Sequence, residues 1–537
     1  MRFDSLKYRY PSRRNTIFAQ EGMCCSVSPI GSQIGVEILR RGGNAVDAAI
    51  AMAAAMPLLE PTGNSIGSDC FVIAWVDGKL YGLDGSGVSP KALNREVVLE
   101  KGFNEVPSDG WLPVMVPGAP KAWAELRARF GTLSMEELLA PAIRYAEEGF
   151  PFPVTGLKEL RRDVEHFREL AEEDPTLFGP WMELFTKDGR SYEAGEIFRN
   201  PGLAKTLRTL AETECEDLYT GELMKRIVDH SRNTGGYFCE EDFREYRVRW
   251  VDPVSTEYHG YTVHEMPPNG HGITVLMALN ILKNLEMDPE RETAKNYHHM
   301  IEAVKLAFAD TRTYVADPRY MKTRVEDLLA ADYAARRAAL VGDRALDPKA
   351  GDPYCGGTVY FSTADRDGNM VSFIQSHFDR GSGVAIPGTG ITLQNRGAGF
   401  SMDPASDNVL EGGKKCYHTI IPGFLSKDGK PVGPFGVMGG FMQPQGHLQV
   451  VLNTVDFHMN PQECLDAPRF QWVGGKKVQL ERAVPAEIAE ELSRMGHEIE
   501  IVPDELDMGR GQIIWRLENG TYAGGTEPRA DGTIAVI

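Results

Sequence analysis

The stretch Cys355 to Ser401, CGGTVYFSTADRDGNMVSFIQSHFDRGSGVAIPGTGITLQNRGAGFS, holds the residues whose types and spacing best suit chemistry. Thr358 follows two glycines and opens an alternating run to Ala364. Asp367-Gly368 is a type I′ turn signal, and Met370 to Ser376 returns antiparallel. With Asp367 and Gly368 as the two loop residues, Thr358 is predicted to lie opposite His377 and beside Ser376. One residue of bulge would exchange which of them shares its face. A chain cut just before Thr358 would hold a hydroxyl nucleophile and its own α-amine as base. Such an amine has a pKa of roughly 7.7–8.0, so a usable fraction is neutral near pH 7. On spacing alone, an ordinary strand threonine after a glycine turn is the simpler reading.

Other motifs carry less. Gly63-Asn64-Ser65-Ile66-Gly67 matches GxSxG, but a Pro-containing loop precedes it and an apolar strand run, Phe71 to Val76, follows. A nucleophile elbow needs the strand before and a helix after, so a tight turn entering a strand is expected. Gly381-Ser382-Gly383 lacks the third glycine and the helix of a dinucleotide site, and no phosphate-loop motif occurs. Cys24, Cys25 and Cys70 have no nearby histidine and read as buried, inert thiols. There is no HExxH, and His298-His299 reads as a polar patch on a helix rather than a metal site.

The elements that must position Thr358 show in the periodicity. Ser32 to Ala54 reads as a helix broken at Gly42-Gly43. Asn44 caps an Ala-rich second half, buried all round and ended by Pro57. Phe71 to Val76, Asp77-Gly78 and Lys79 to Leu83 form a hairpin. Lys121 to about Arg344 is mostly helical, interrupted by strands such as Tyr261 to His264. Strand character dominates after Gly351, with a helical passage near Pro485 to Arg494 and strands at Ile513 to Trp515. Strand blocks flanked by helical ones, with no repeat or low-complexity linker, predict one interleaved α+β domain.

Composition sets the outer limits. The 537 residues are 42% hydrophobic and 25% charged, which excludes global disorder. The net charge of -19 repels phosphate backbones and anionic membranes, so nucleic-acid and membrane partners are not expected. The longest apolar run, Ala48 to Leu59, is too short to span a bilayer, and the N-terminus lacks the apolar core of a secretory signal. Eight cysteines without a CxxC pair suit a reduced, cytoplasmic protein.

Nearly the whole chain resembles the γ-glutamyltranspeptidase family of N-terminal-nucleophile hydrolases. The resemblance rests on GGNAVDAA (Gly42 to Ala49), VPGAP (Val116 to Pro120), LLAPAIRYAEEGFP (Leu138 to Pro151), PPNGHG (Pro267 to Gly272) and AFADTRTYVADP (Ala307 to Pro318). It continues in the Thr358 hairpin, Gly439-Gly440 and TEPRADG (Thr526 to Gly532). It implies a four-layer αββα sandwich made as one precursor that cleaves itself between Gly357 and Thr358. Residues 1–357 then form a large subunit and 358–537 a small one, together one domain. It also implies Thr358 as nucleophile, Ser376 as the hydroxyl that orients it, and Gly439 and Gly440 as oxyanion donors. No metal or organic cofactor is called for. The partners expected are a small-molecule amide and the two subunits of one precursor, with room for a homodimer of processed heterodimers.

The departures bear on the substrate. Ser86 stands where the family's arginine pairs with a glutamyl α-carboxylate, and Gly399 replaces the aspartate that accepts the α-amine. His418-Thr419, after Tyr417, replaces consecutive serines, and Arg396 replaces a neutral side chain. Losing a partner for a buried carboxylate costs about 2–5 kcal/mol, which argues against efficient γ-glutamyl transfer. The expectation is a hydrolase of a small carboxylate-bearing amide, similar to oxamate amidohydrolase-like or cephalosporin acylase-like members, with Arg396 clamping the carboxylate. A structural Arg396 satisfying loop carbonyls is the competing reading, and His377 and His418 are open in the same way. A working glutathione or γ-glutamyl-peptide hydrolase or transferase is the first alternative. An unprocessed binding protein with the same fold is the second.

Overall fold

The computed structural model describes residues 4, 9–10, 14–348, 358–503 and 507–537, so Gly357 and the expected cleavage bond lie outside the described residues. Two seven-stranded sheets carry the fold. In chain order their strands are β1 (Ile17–Ala19), β2 (Met23–Ser26), β3 (Asp69–Val76), β4 (Lys79–Gly85), β5 (Arg249–Val251), β6 (Val254–Tyr258) and β7 (Tyr261–Glu265). Then come β8 (Val359–Ala364), β9 (Met370–Ser376), β10 (Gly423–Lys427), β11 (Lys430–Met438), β12 (Arg510–Arg516), β13 (Tyr522–Thr526) and β14 (Thr533–Val536). One sheet runs β14-β2-β8-β9-β3-β4-β5, the other β1-β13-β12-β11-β10-β7-β6. The helices that matter below are α1 (Pro29–Arg40), α2 (Ala45–Leu59), α3 (Ile273–Leu282), α4 (Ala294–Tyr314), α5 (Ala331–Ala338), α6 (Met442–Val455) and α7 (Ala486–Arg494). This is a mixed α/β fold. No helix among the described residues is long and apolar enough to cross a membrane.

Helix α2 starts where Asn44 accepts the Val46 and Asp47 N–H groups while Asp47 returns a bond to the Asn44 N–H, a reciprocal cap. Every one of its residues is buried. It runs through Pro57 to Leu59 instead of stopping before the proline. Proline removes the bond to the carbonyl four residues back. That carbonyl, on Ala53, instead accepts the Gln375 side-chain amide of β9 at 3.3 Å, so the proline is tolerated.

The β8–β9 hairpin differs from expectation by one residue. Its pairs run from Val359↔Gln375 to Ala364↔Met370, and Asp365 N–H continues the ladder to the Asn369 carbonyl. The loop is therefore three residues, Arg366 to Gly368, with Gly368 at φ 86°, the left-handed position such loops require. The Asp365 carboxylate enforces this. It accepts the Asp367 and Asn369 N–H groups (3.0 Å each), the Asn369 side-chain amide (2.9 Å) and the Ala45 N–H at the start of α2 (2.9 Å). Continuing the register sets Thr358 across from Ser376, not His377.

Alternate residues then face opposite layers. Val359, Phe361, Val371 and Phe373 join the core shared with α2, with Phe361 and Phe373 stacked at 4.8 Å. Tyr360, Met370 and Ile374 join Phe424, Met438 and Ile514 of the other sheet. Strand β11 can lie close because it carries glycines there. A Cβ on Gly436 would fall 2.4 Å from the Tyr360 ring, and one on Gly433 would fall 2.9 Å from the Met370 methyl. Gly433 thus crosses the turn end of the hairpin and Gly436 lies nearer Thr358. Extending β11 brings Gly439 and Gly440 to the Thr358 end.

Candidate active site

Three registers set the site in a row across one sheet. Thr358 is across from Ser376, Ser376 pairs with Asp69 of β3, and the Cys70↔Gly85 pair puts Ser86 just beyond Asp69. Thr358 Oγ1 donates to Ser376 Oγ at 3.1 Å, and Ser376 Oγ also accepts the Phe378 N–H at 2.8 Å. Both hydroxyls are buried in the layer between the sheets. Phe378 holds φ 81°, a conformation that costs a non-glycine residue on the order of 1–3 kcal/mol. The hydrogen bond to Ser376 and the Arg396 guanidinium 4.8 Å above its ring hold it there. Gly439 (φ 130°) and Gly440 (φ 56°) make the turn from β11 into α6, a path that disfavours side chains. Met442 and Gln443 N–H groups bond their carbonyls (2.9 and 3.2 Å). Across a trans peptide, the Gly440 N–H therefore points away from the helix.

The residue that sequence reasoning missed is Asp69. Arg396 Nη2 donates to its Oδ1 (3.2 Å) and His418 Nε2 to its Oδ2 (2.6 Å), all three side chains being buried. Arg396 Nη1 donates to Thr419 Oγ1 at 2.7 Å. Burial pushes the Asp69 carboxyl up, but Arg396 and His418 overcome this and hold it below its ordinary value. Burial, helped by Arg396, brings the His418 imidazole down to about 4, so His418 donates as a neutral ring. Its Nδ1 accepts the Ile420 N–H at 3.4 Å. Arg396 thus already has an internal carboxylate, although its buried Nε has no hydrogen-bond partner among the described residues.

The other expected binding residues divide. Ser86 gives its hydroxyl proton to Asp84 (2.6 Å), whose carboxylate also holds Lys415 (2.6 Å) and Arg249 (2.9 Å). His377 donates from Nε2 to the Thr62 carbonyl (2.7 Å), and burial brings it down to about 4. Tyr417 stacks near-parallel with Phe441, with ring centroids 6.4 Å apart, and burial raises its phenol. A cavity of about 600 Å³ opens beside this cluster, walled by Phe378, Gly399, Phe400, Tyr417, Phe441 and Arg312 among others. Asp379, Asp109 and Glu105 line it too.

A family model described as gamma-glutamyltranspeptidase matches residues 31–537. The chain belongs to the gamma-glutamyltranspeptidase family. This family member is 35% identical to the glutathione hydrolase-like YwrD proenzyme of Bacillus subtilis, over 97% of this chain and 99% of the relative. It is 32% identical to the oxamate amidohydrolase proenzyme of Klebsiella pneumoniae, over 96% and 98%. A solved cephalosporin acylase from Bacillus halodurans superposes with a TM-score of 0.95 at 51% identity, covering 100% of this chain and 99% of that one. The chain is accordingly an enzyme of the hydrolase type, with homologues among amidohydrolases, glutathione hydrolases and acylases.

Other features of this gamma-glutamyltranspeptidase homologue find structural roles. Ser65 of the GxSxG match bonds the Thr392 carbonyl in a tight turn before β3. Cys24, Cys25 and Cys70 are buried, and burial raises each thiol. His298, read from sequence as part of a polar patch on a helix, does lie among polar partners on one. It is buried on α4 and bonds His497 at 2.8 Å.

Proposed function

We propose that this chain is a precursor that cleaves itself between Gly357 and Thr358, and that the freed Thr358 hydrolyses an amide through an acyl-enzyme. The observation that carries the reading is the Thr358–Ser376 hydroxyl pair at the sheet end to which Gly439 and Gly440 also extend. In the precursor, Thr358 Oγ adds to the Gly357 carbonyl, the C–N bond breaks, and the chain passes to an ester. That shift frees the Thr358 amine, which takes up the hydroxyl proton; water then hydrolyses the ester, releasing the Gly357 carboxylate and regenerating the Thr358 hydroxyl. In the processed enzyme that amine takes the hydroxyl proton as Oγ attacks the substrate carbonyl, then gives it to the leaving nitrogen. Water hydrolyses the ester. N–H groups of Gly439 and Gly440 stabilise the oxyanion, where one such donor is worth about 10²–10³ in rate. The face-to-face sheets with α2 and α6 outside them read as an αββα sandwich, split into residues 1–357 and 358–537, and the unpaired thiols suit a cytoplasmic setting.

The acyl group is an acid other than γ-glutamyl. Ser86 commits its proton to Asp84, and Gly399 offers no carboxylate for an α-ammonium. Arg396 orients the acid through N–H groups that Asp69 and Thr419 leave uncommitted. The 600 Å³ cavity is walled by Phe378 and Tyr417 rather than by Thr358 or Arg396, and it leaves room next to the site for an acid amide bulkier than oxamate. Denaturing electrophoresis and intact mass should give fragments of 357 and 180 residues, and Thr358→Ala a single inactive chain. Turnover of oxamate and glutaryl amides is expected to exceed that of γ-glutamyl-p-nitroanilide. The reverse preference overturns the acyl assignment.

A further inference from the structure

Outside the active site, α4 and the loop after α7 share a buried polar cluster in which every proton can be assigned. The Lys305 ammonium can only donate, so His497 Nδ1, 3.4 Å away, accepts from it and His497 Nε2 carries that ring's proton, given to His298 Nδ1 at 2.8 Å. His298 Nε2 in turn donates to the Gly342 carbonyl at 2.8 Å. Lys305 also donates to Glu302 (2.8 Å) and to the Leu346 carbonyl (3.1 Å), and Glu302 accepts the Leu346 N–H (3.2 Å). His298, Glu302 and His497 offer ligand-type atoms within 4.8 Å of one another. A metal is nonetheless disfavoured, because the Lys305 cation already neutralises Glu302.

What the cluster grips is the chain leading to the expected cleavage bond. Gly342 and Leu346 lie beyond α5, and Leu346 is eleven residues before Gly357. The Ala345 N–H and the Arg344 guanidinium add bonds to the Met495 and Arg494 carbonyls (2.9 and 2.8 Å). His497, Met495 and Arg494 belong to the proposed small chain and the rest to the large one. We propose that the Lys305–His497–His298 relay, with Glu302, is a clamp that positions the tail of the large chain for self-cleavage and ties it to the small chain afterwards. This rests on the self-cleavage reading above.

Freeing the tail back to Ala338 lengthens the stretch between the last gripped residue and Thr358 from 11 to 19 residues. Loop-closure statistics alone make that about a twofold loss of rate, and lost orientation adds to it. The test follows band conversion over time in wild type, Lys305→Met, Lys305→Arg and Leu346→Pro. The last removes the N–H given to Glu302, along with the Leu346 packing on the core, and leaves Lys305, Glu302, His298 and His497 in place. Lys305→Met and Leu346→Pro should process about two- to tenfold more slowly, with partial recovery in Lys305→Arg. Once fully processed, their kcat/KM should match wild type within about twofold. Wild-type processing rates in both variants, or a matching fall in processed activity, overturn the clamp. A wild-type chain that never splits overturns self-cleavage itself, and the clamp with it.

Discussion

Asp69 accepts from Arg396 and His418 at once, so its removal leaves two buried donors without their acceptor. Breaking a buried ion pair from one side costs about 3–5 kcal/mol, because the other charge stays behind. Asp69→Asn and Arg396→Gln should each destabilise the chain by that order. The double variant should fall short of the sum by about 1–3 kcal/mol. Urea unfolding in a Thr358→Ala background, where the chain stays single, measures this, and strict additivity would refute the coupling. Asp69→Asn should also lower KM for an anionic acyl amide, since Arg396 then keeps its full charge for the substrate. The sequence displays Arg396 as an introduced cation but hides its partner. Asp69 lies 327 residues away and opens an otherwise apolar strand, so only the β9–β3 register brings them together.

At the scale of elements, periodicity and turn chemistry read well where the deciding contacts are local. The α2 cap, its buried face and the β3–β4 hairpin at Asp77-Gly78 all follow from neighbours in sequence. The β8–β9 register did not, because one of the bonds fixing its loop comes from Ala45, 320 residues from Asp365. The passage of α2 through Pro57 likewise depends on Gln375. Asp365 therefore does more than shape a turn. Asp365→Ala leaves three backbone N–H groups and one amide without their acceptor, three of these four donors being buried. A loss of about 2–4 kcal/mol is expected by urea unfolding in the same Thr358→Ala background. Self-cleavage in the otherwise native chain should slow as the Thr358–Ser376 pairing loosens. Asparagine is no rescue, because its amide would turn one donor against the Ala45 N–H or a hairpin N–H. Equal stability of Asp365→Ala and wild type would remove Asp365 as the register-setting residue.

Over the whole molecule, buried titratable groups pull stability in opposite directions as pH changes. Burial brings His377 and His418 from their ordinary value near 6.5 down to about 4. The unfolded chain therefore takes up protons first below about pH 6.5, and stability falls from there toward pH 4. Glu60 acts the other way. Burial and then Glu159 raise its carboxyl to about 8, with Arg510 opposing. Between about 4.5 and 8 the folded chain holds a proton that the unfolded one has released, so this contribution is lost as pH rises through that window. Glutamine reproduces the neutral form without the cost of protonation. Glu60→Gln should thus be more stable than its parent by roughly 4 kcal/mol at pH 7.5, shrinking to under about 1 kcal/mol at pH 5. Urea unfolding at the two pH values, again in the Thr358→Ala background, separates this from a packing effect, which would be the same at both. A pH-independent change, or a loss at pH 7.5, would mean that Glu60 is a carboxylate held by Arg510 and that the acid side of the stability profile belongs to the histidines alone.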